Sequence, residues 1–207
     1  MAETVKTKYS PLHIKCEVGY PYGVADSNYQ CGFHTGCDFP QSGTNAKNPD
    51  LYGCVDDGTV VYVYKNSQGS SPALGNQVQF RDNKTGLYYR YCHMVYGSIS
   101  LNVGDKINTG TIIGKMGATG KVTGVHLHLE LSKTQAWNCN NFLNPVEPLG
   151  IPNIRGTIVE YDGSVTPEPP TPEPPTPMFR NLNNWKKWFM SLKGGMRIWQ
   201  TKSIKKD

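Results

Sequence analysis

Along most of the chain, apolar and polar positions alternate in steps of two. Asn76-Gln77-Val78-Gln79-Phe80 is the plainest case, and such alternation marks a strand with one face turned inward. Val60-Val61-Tyr62-Val63-Tyr64 is β-branched and aromatic and follows the turn pair Asp57-Gly58, which reads as a second strand. Leu87-Tyr88-Tyr89-Arg90-Tyr91 comes after the turn residues Asp82-Asn83-Lys84-Thr85-Gly86. Thr111-Ile112-Ile113-Gly114 and Val125-His126-Leu127-His128-Leu129 are further short strands. Helical spacing is absent before residue 178. These patterns predict a mainly β protein built on antiparallel sheet.

Past residue 178 the period changes. Leu182, Trp185, Trp188, Phe189, Leu192, Met196 and Trp199 recur at three- and four-residue steps, with Arg180, Lys186, Lys187, Lys193 and Arg197 between them. This spacing predicts a short basic amphipathic helix, interrupted at Gly194-Gly195. Between the two regimes, residues 166–177 repeat Thr-Pro-Glu-Pro-Pro and hold seven of the fifteen prolines. Proline fixes φ and lacks a donor, so this run reads as a stiff, extended spacer. The expected organisation is a domain over 1–150, a linker over 151–177 and a tail over 178–207.

Composition narrows the picture. The chain has 207 residues, 18 % charged and 11 % aromatic, too few charges and too many rings for a wholly disordered chain. No apolar run reaches the length of a transmembrane helix. The net charge of +5 is uneven: residues 178–207 carry eight Lys/Arg against one Asp, and the first 177 carry thirteen against fifteen Asp/Glu. The main body therefore lacks the basic surface of a nucleic-acid binder. The tail, with Trp185, Lys186, Lys187, Trp188 and Trp199, suits an anionic wall polymer or membrane surface. The opening Met1-Ala2-Glu3-Thr4-Val5-Lys6 has no apolar stretch of the secretory type. Cysteines at 16, 31, 37, 54, 92 and 139 match no zinc module or redox motif. Buried free thiols are the expectation, with disulfides open if the protein works outside a cell.

Four of the five histidines lie in chemically suggestive stretches: His34-Thr35-Gly36-Cys37-Asp38, Tyr91-Cys92-His93-Met94 and His126-Leu127-His128-Leu129-Glu130. His13 stands alone and reads as a surface or loop residue. On a strand, His126 and His128 face one side, about 6.5–7 Å apart. One can bind a metal while the other serves as base or donor; alone, such a pair reads more readily as two polar residues on the exposed face of a strand. His34 and Asp38 would lie about 13 Å apart on a straight strand, so they share a site only if the chain bends, as Gly36 allows. His, Asp and a second His make a three-ligand set with one position left for water, the layout of a catalytic zinc site.

These stretches together resemble the lysostaphin-type zinc endopeptidases of bacterial cell walls. The likeness runs in order over about residues 20–146. His34-Thr35-Gly36-Cys37-Asp38 is similar to the family's H-x-G-x-D, Gly75-Asn76-Gln77-Val78 to its G-N-x-V strand, and Tyr91-Cys92-His93-Met94 to Y-x-H-L. Asp57-Gly58-Thr59-Val60-Val61, Val103-Gly104-Asp105-Lys106 and the glycine-rich 114–120 resemble the segments that lead to H-L-H-x-E. The resemblance implies an antiparallel β peptidase domain with a groove and one Zn²⁺ per chain held by His34, Asp38 and His128. It implies that His93 and His126 orient or deprotonate water and stabilise the oxyanion. Glu130 is either a support for an imidazole or a solvated strand carboxylate, and Tyr29 is a candidate oxyanion contact. Cys37 and Cys92 depart from the family pattern; alternation is expected to turn them away from the metal, and they could pair with each other. Val125 stands where proline is common. The polar stretch between Asp38 and Thr59 is a candidate groove wall.

The function the resemblance implies is hydrolysis of peptide bonds in peptidoglycan, outside the cell; a wall hydrolase without a secretory stretch suggests bacteriophage origin, with a fragment of a larger secreted or tail protein as the other possibility. It would be either an endolysin released from the host cytoplasm or a virion tail component that contacts other tail proteins. The alternatives are an inactive adaptor of a phage tail, a Cys/His hydrolase using Cys37 or Cys92, and a membrane-active protein working through its tail.

Overall fold

The computed structural model describes residues 3–164. The proline-rich run, the tail and its candidate residues Trp185, Lys186, Lys187, Trp188 and Trp199 lie outside the described residues. Twelve strands run in chain order: β1 (Thr4–Thr7), β2 (Cys16–Glu17), β3 (Gly36–Pro40), β4 (Asp50–Tyr52), β5 (Gly58–Tyr64), β6 (Asn76–Asp82), β7 (Tyr88–Met94), β8 (Lys106–Ile107), β9 (Ile112–Lys115), β10 (His126–Ser132), β11 (Phe142–Leu143) and β12 (Ile158–Tyr161). Single 3₁₀ turns at Gln41–Gly43 and Glu147–Leu149 are the helical elements among the described residues. The expected mainly β, antiparallel architecture is what the described residues adopt.

The main sheet has the order β11-β10-β7-β6-β5-β8, with β3 also paired to β10. All its pairings are antiparallel, and the hairpin β5–β6–β7 grows from the three alternating segments. On one face, Val60, Val78, Phe80, Tyr89, Tyr91, Leu127, Leu129 and Leu131 are buried in one core cluster. Burying such side chains contributes about 1.5–3 kcal/mol each. The residues between them, Gln79, Arg90, His128 and Glu130, are therefore delivered together to the opposite face, where they are also buried. That polar face is the floor of the site.

A second sheet, β1-β12-β2, ties the two ends of the described chain together, β1 and β12 running parallel. The residues read as the start of the linker thus belong in part to this sheet. Ile151 and Val159 are buried, and a four-residue strand between Gly156 and Gly163 is too short to announce itself by alternation. β4 and β9 form a separate antiparallel pair.

The cysteine expectation is corrected in part. Cys31 and Cys139 form a disulfide with 5.3 Å between Cα atoms, closing a separation of 108 residues. Cys16, Cys37, Cys54 and Cys92 are free and buried, so no Cys37–Cys92 bridge exists. His13 lies in the loop between β1 and β2, as expected, half-buried and stacked between Tyr52 and Tyr161 at ring distances of 3.6 and 3.7 Å. Burial lowers its pKa, against an opposing pull from the Thr109 carbonyl.

Candidate active site

β10 is the strand on which the site is assembled. Its register places His128 opposite Asp38 of β3 on one side and opposite Cys92 of β7 on the other. β3 comes this close because Gly36 has no side chain: a Cβ there would lie 2.4 Å from the Leu129 carbonyl oxygen and 2.8 Å from His128. The glycine of the His-x-Gly-x-Asp segment is needed for close approach between strands, and its φ is not in the left-handed region. His34 precedes β3 and is fully buried, stacked on Tyr20 at 4.4 Å.

Three donor atoms converge. His34 Nε2 and His128 Nδ1 are 3.1 Å apart, His128 Nδ1 and Asp38 Oδ1 2.8 Å, and His34 Nε2 and Asp38 Oδ1 3.3 Å. A tetrahedral cation with bonds of about 2.0–2.1 Å sets its ligands about 3.3 Å apart. The protonation pattern points the same way. His34 Nδ1 lies 2.8 Å from the Pro21 carbonyl; a carbonyl only accepts, so Nδ1 carries the proton and Nε2 presents a lone pair. His128 lies between two carboxylates, its Nε2 3.1 Å from Glu130 Oε1 and its Nδ1 donating to Asp38 Oδ1, so a metal at Nδ1 would take the place of that proton. With that proton gone, His34 Nε2, Asp38 Oδ1 and His128 Nδ1 would offer three acceptors to one cation. His34, Asp38 and His128 can hold a metal ion.

Electrostatics reflect the same crowding. Burial opposes charge on Asp38, yet the hydrogen bond from His128 and the imidazoles crowded against it hold its carboxyl far below the usual range. Burial also disfavours charge on His128, but Glu130 and Asp38 outweigh it and raise its pKa to about 9. Glu130, against its own burial, is lowered to about 2 by His128, Arg90 and Thr35. It is 1 % exposed, so it is not the solvated strand carboxylate that was one of the two expectations.

Two further imidazoles face this point. His126 Nε2 lies 3.8 Å from Asp38 Oδ1, and its Nδ1 meets the Gly124 carbonyl at 2.9 Å. The His93 ring is 4.9 Å from that of His126 and 5.8 Å from that of His128, with Nδ1 at 2.8 Å from the Thr119 carbonyl. Burial first, then the neighbouring His128 and His126, lower His93 to about 3. His93 reaches the site through a left-handed backbone, φ 63°, uncommon for a side chain with a Cβ. This twist breaks strand alternation. Cys92, expected to point away, instead lies in register with His128, fully buried. Cys37 does turn into the core, opposite Leu129.

The motif glycines brace this twist. Gly75 (φ 59°) and Gly120 (φ 91°) pack backbone to backbone, and a Cβ on Gly75 would meet the Thr119 carbonyl carbon at 2.4 Å. Asn76 is buried and bridges Ser67 and the Met94 carbonyl, and its N–H donates to the Thr119 hydroxyl. Burial raises the Cys37 and Cys92 thiols well above the ordinary range. Neither lines the groove, which excludes the thiol-nucleophile alternative.

The site sits where two depressions meet. One, of about 1000 Å³, is walled by residues 41–47 and Arg155; the other, of about 920 Å³, by the loops around Cys31 and Cys139; both include Tyr20, Asp38, Thr123 and His126. The polar stretch after Asp38 is thus a groove wall, as expected. Tyr29 lies edge-on to His34 at 5.1 Å, and burial raises its hydroxyl pKa. Sequence reasoning missed Tyr20, Thr35, Arg90 and Trp137, and the carbonyls of Pro21, Thr119 and Gly124. Only the glycine-rich 114–120 segment hinted at one of them.

The β sheet thus carries a His/Asp/His cluster that could hold a metal, beside two pinned imidazoles. Residues 32–141 match the model of peptidase family M23. The chain belongs to that family. It is 29 % identical over 155 residues to lysostaphin of Staphylococcus staphylolyticus and of Staphylococcus simulans, covering 74 % of this chain and 28 % of theirs. It is 29 % identical over 129 residues to the glycyl-glycine endopeptidase ALE-1 of Staphylococcus capitis, covering 62 % and 32 %. The solved catalytic domain of the antimicrobial peptidase lysostaphin from Staphylococcus simulans superposes with a TM-score of 0.53 at 25 % identity, covering 65 % of this chain and 92 % of that one. The chain therefore spans less than a third of the length of these curated relatives.

Proposed function

We propose that this chain is a zinc-dependent endopeptidase that hydrolyses peptide bonds of bacterial peptidoglycan, in stem peptide or cross-bridge. The observation that carries the reading is the convergence of His34 Nε2, Asp38 Oδ1 and His128 Nδ1 within 3.3 Å of one another, beside two further imidazoles. His34, Asp38 and His128 would hold one zinc ion, and three protein ligands leave a position open. Bound there, zinc supplies polarisation of a carbonyl and acidification of water.

Proton movement falls to the chain's own side chains. His93 has Nδ1 committed to the Thr119 carbonyl, so Nε2 is its one exchangeable position. Its lowered pKa keeps it neutral at neutral pH and able to accept. His126 is pinned in the same manner by Gly124. The two rings are 4.9 Å apart, close enough for a proton taken from the attacking water to be held between them. That proton leaves the attacking water and passes to the departing amine; while on a ring, its N–H faces the developing oxyanion.

The substrate class is supported by the relatives, one a glycyl-glycine endopeptidase and another an antimicrobial peptidase. A groove open on both sides of the site suits cleavage within a chain. The Cys31–Cys139 disulfide suits work in an oxidising place outside the cell. The basic, Trp-bearing residues 178–207 then serve to hold the enzyme on anionic wall polymer or membrane. All five site groups are present, which favours an enzyme over an inactive adaptor.

The test is loss of turbidity of Gram-positive cell walls with and without chelator, followed by zinc add-back. Lysis should stop with chelator, return with zinc and fail in His128→Ala, with mass spectrometry of the fragments naming the bond. Lysis indifferent to chelator and to His128→Ala would refute the reading.

A further inference from the structure

Glu130 is a buried anion, and a buried anion needs a compensating cation. Once His128 gives its Nδ1 lone pair to a metal, its ring is neutral and cannot be that cation. Arg90 is. It lies directly opposite Glu130 in the β7–β10 register and is 8 % exposed. Its Nε and Nη2 both reach Glu130 Oε2. Glu130 Oε1 accepts from the Thr35 hydroxyl at 2.6 Å and faces His128 Nε2 at 3.1 Å. The other side of the guanidinium is covered by the Trp137 ring at 4.0 Å. Trp137 is itself anchored, its Nε1–H donating to Gln79 Oε1 at 2.8 Å. The carboxylate is thus held from two sides, and its free edge is turned to the back of the imidazole.

We propose that Arg90, clamped by Trp137, is a positioning residue for His128, acting through Glu130. By fixing the carboxylate against Nε2, it fixes which imidazole nitrogen faces His34 and Asp38 and the angle at which it does so. A guanidinium is required because its planar fork both grips the carboxylate and lies flat under the indole, which an ammonium cannot do. The inference rests on the metal reading of the site.

The experiment uses the full chain, stripped of metal, and titrates Zn²⁺ against a competing chelator and Co²⁺ by its visible spectrum. Arg90→Gln should weaken Zn²⁺ about 10–100-fold, the usual effect of losing such a support, and change the Co²⁺ bands. Arg90→Lys should restore only part of the affinity. Trp137→Ala, on the loop between β10 and β11, should weaken Zn²⁺ about 10-fold, at the lower end of that range. It decides the matter if Arg90→Gln does not fold. Wild-type affinity and an unchanged Co²⁺ spectrum in the variants, with normal uptake by the wild type, would overturn this inference alone. A wild type that takes up neither ion would overturn the metal reading as well.

Discussion

His128 and His93 sit in one site yet titrate in opposite directions, and this has a consequence for stability in the metal-free protein. His128 has a folded pKa raised to about 9, so it contributes stability below its ordinary value of about 6.5, and that contribution is lost as pH rises from there through 9. His93 has a folded pKa lowered to about 3; the folded state binds fewer protons, so stability falls as pH drops from about 6.5 through 3. The thermal midpoint of chelator-treated protein should therefore peak near pH 6.5 and decline on both sides. Zinc must displace the His128 proton, so the rise in midpoint on adding zinc should grow from pH 6.5 to 9. Thermal scans across pH 5–9, with and without zinc, check both, and a zinc effect that does not change with pH would contradict the arrangement. Gly36 gives a second prediction at this scale. A Cβ there would stand 2.4 Å from a strand carbonyl and 2.8 Å from His128, so Gly36→Ala should destabilise by about 1–3 kcal/mol, the usual range for overpacking. It should also weaken metal binding, because β3 carries Asp38. Denaturant unfolding and zinc titration measure the two effects.

At the scale of elements, the strands that were legible are the seven-residue β5, β6, β7 and β10, together with the short β9, whose Ile112-Ile113 stand out by residue type beside Gly114. β1, β2, β4, β8, β11 and β12 have two to four residues each, too few for a period, and they form because neighbouring backbone is already in place. The same division runs through the site. Imidazoles and carboxylates advertise their chemistry, so His34, Asp38, His93, His126, His128 and Glu130 could be named from sequence. The Pro21, Thr119 and Gly124 carbonyls that pin the rings are backbone groups that any residue offers. Arg90 matters only through the β7–β10 register. The left-handed His93 is fixed by packing among Gly75, Asn76, Thr119 and Gly120. The Cys31–Cys139 pair was hidden for a related reason: loops 108 residues apart meet only once β10 and β3 are paired. Closing a loop of that size restricts the unfolded chain, and its loss should lower stability by about 2–4 kcal/mol. The four buried thiols leave reductant one place to act. Alkylation of the native protein should label no cysteine before reduction and two after it, and the denaturant midpoint should fall in step.

For the whole molecule, the question is where the catalytic unit ends. The proline-rich run at 166–177 marks a boundary by composition, but the fold sets its own. β12 is the middle strand of the β1-β12-β2 sheet, pairing with Thr4–Thr7 along one edge and Cys16–Glu17 along the other. Val159 and Ile151 are in the core cluster, and the Asn153 side chain accepts from and donates to the Tyr22 backbone. Pro21 and Tyr20, the neighbours of Tyr22, hold His34 by hydrogen bond and by stacking. Removing residues after 150 would therefore unpair β1 and β2, expose core and free the segment that orients His34. A chain ending at 164 keeps every described contact of the site. The chain cut at 164 should fold, bind zinc with the affinity of the full chain and hydrolyse soluble cross-bridge peptides at the same rate. On intact walls it should be slower, if residues 178–207 hold the enzyme to that surface. The chain cut at 150 should lose zinc binding and cooperative unfolding together. Circular dichroism melts, zinc titration and the two hydrolysis assays, run side by side on the three lengths, separate what residues up to 164 do from what residues 165–207 add.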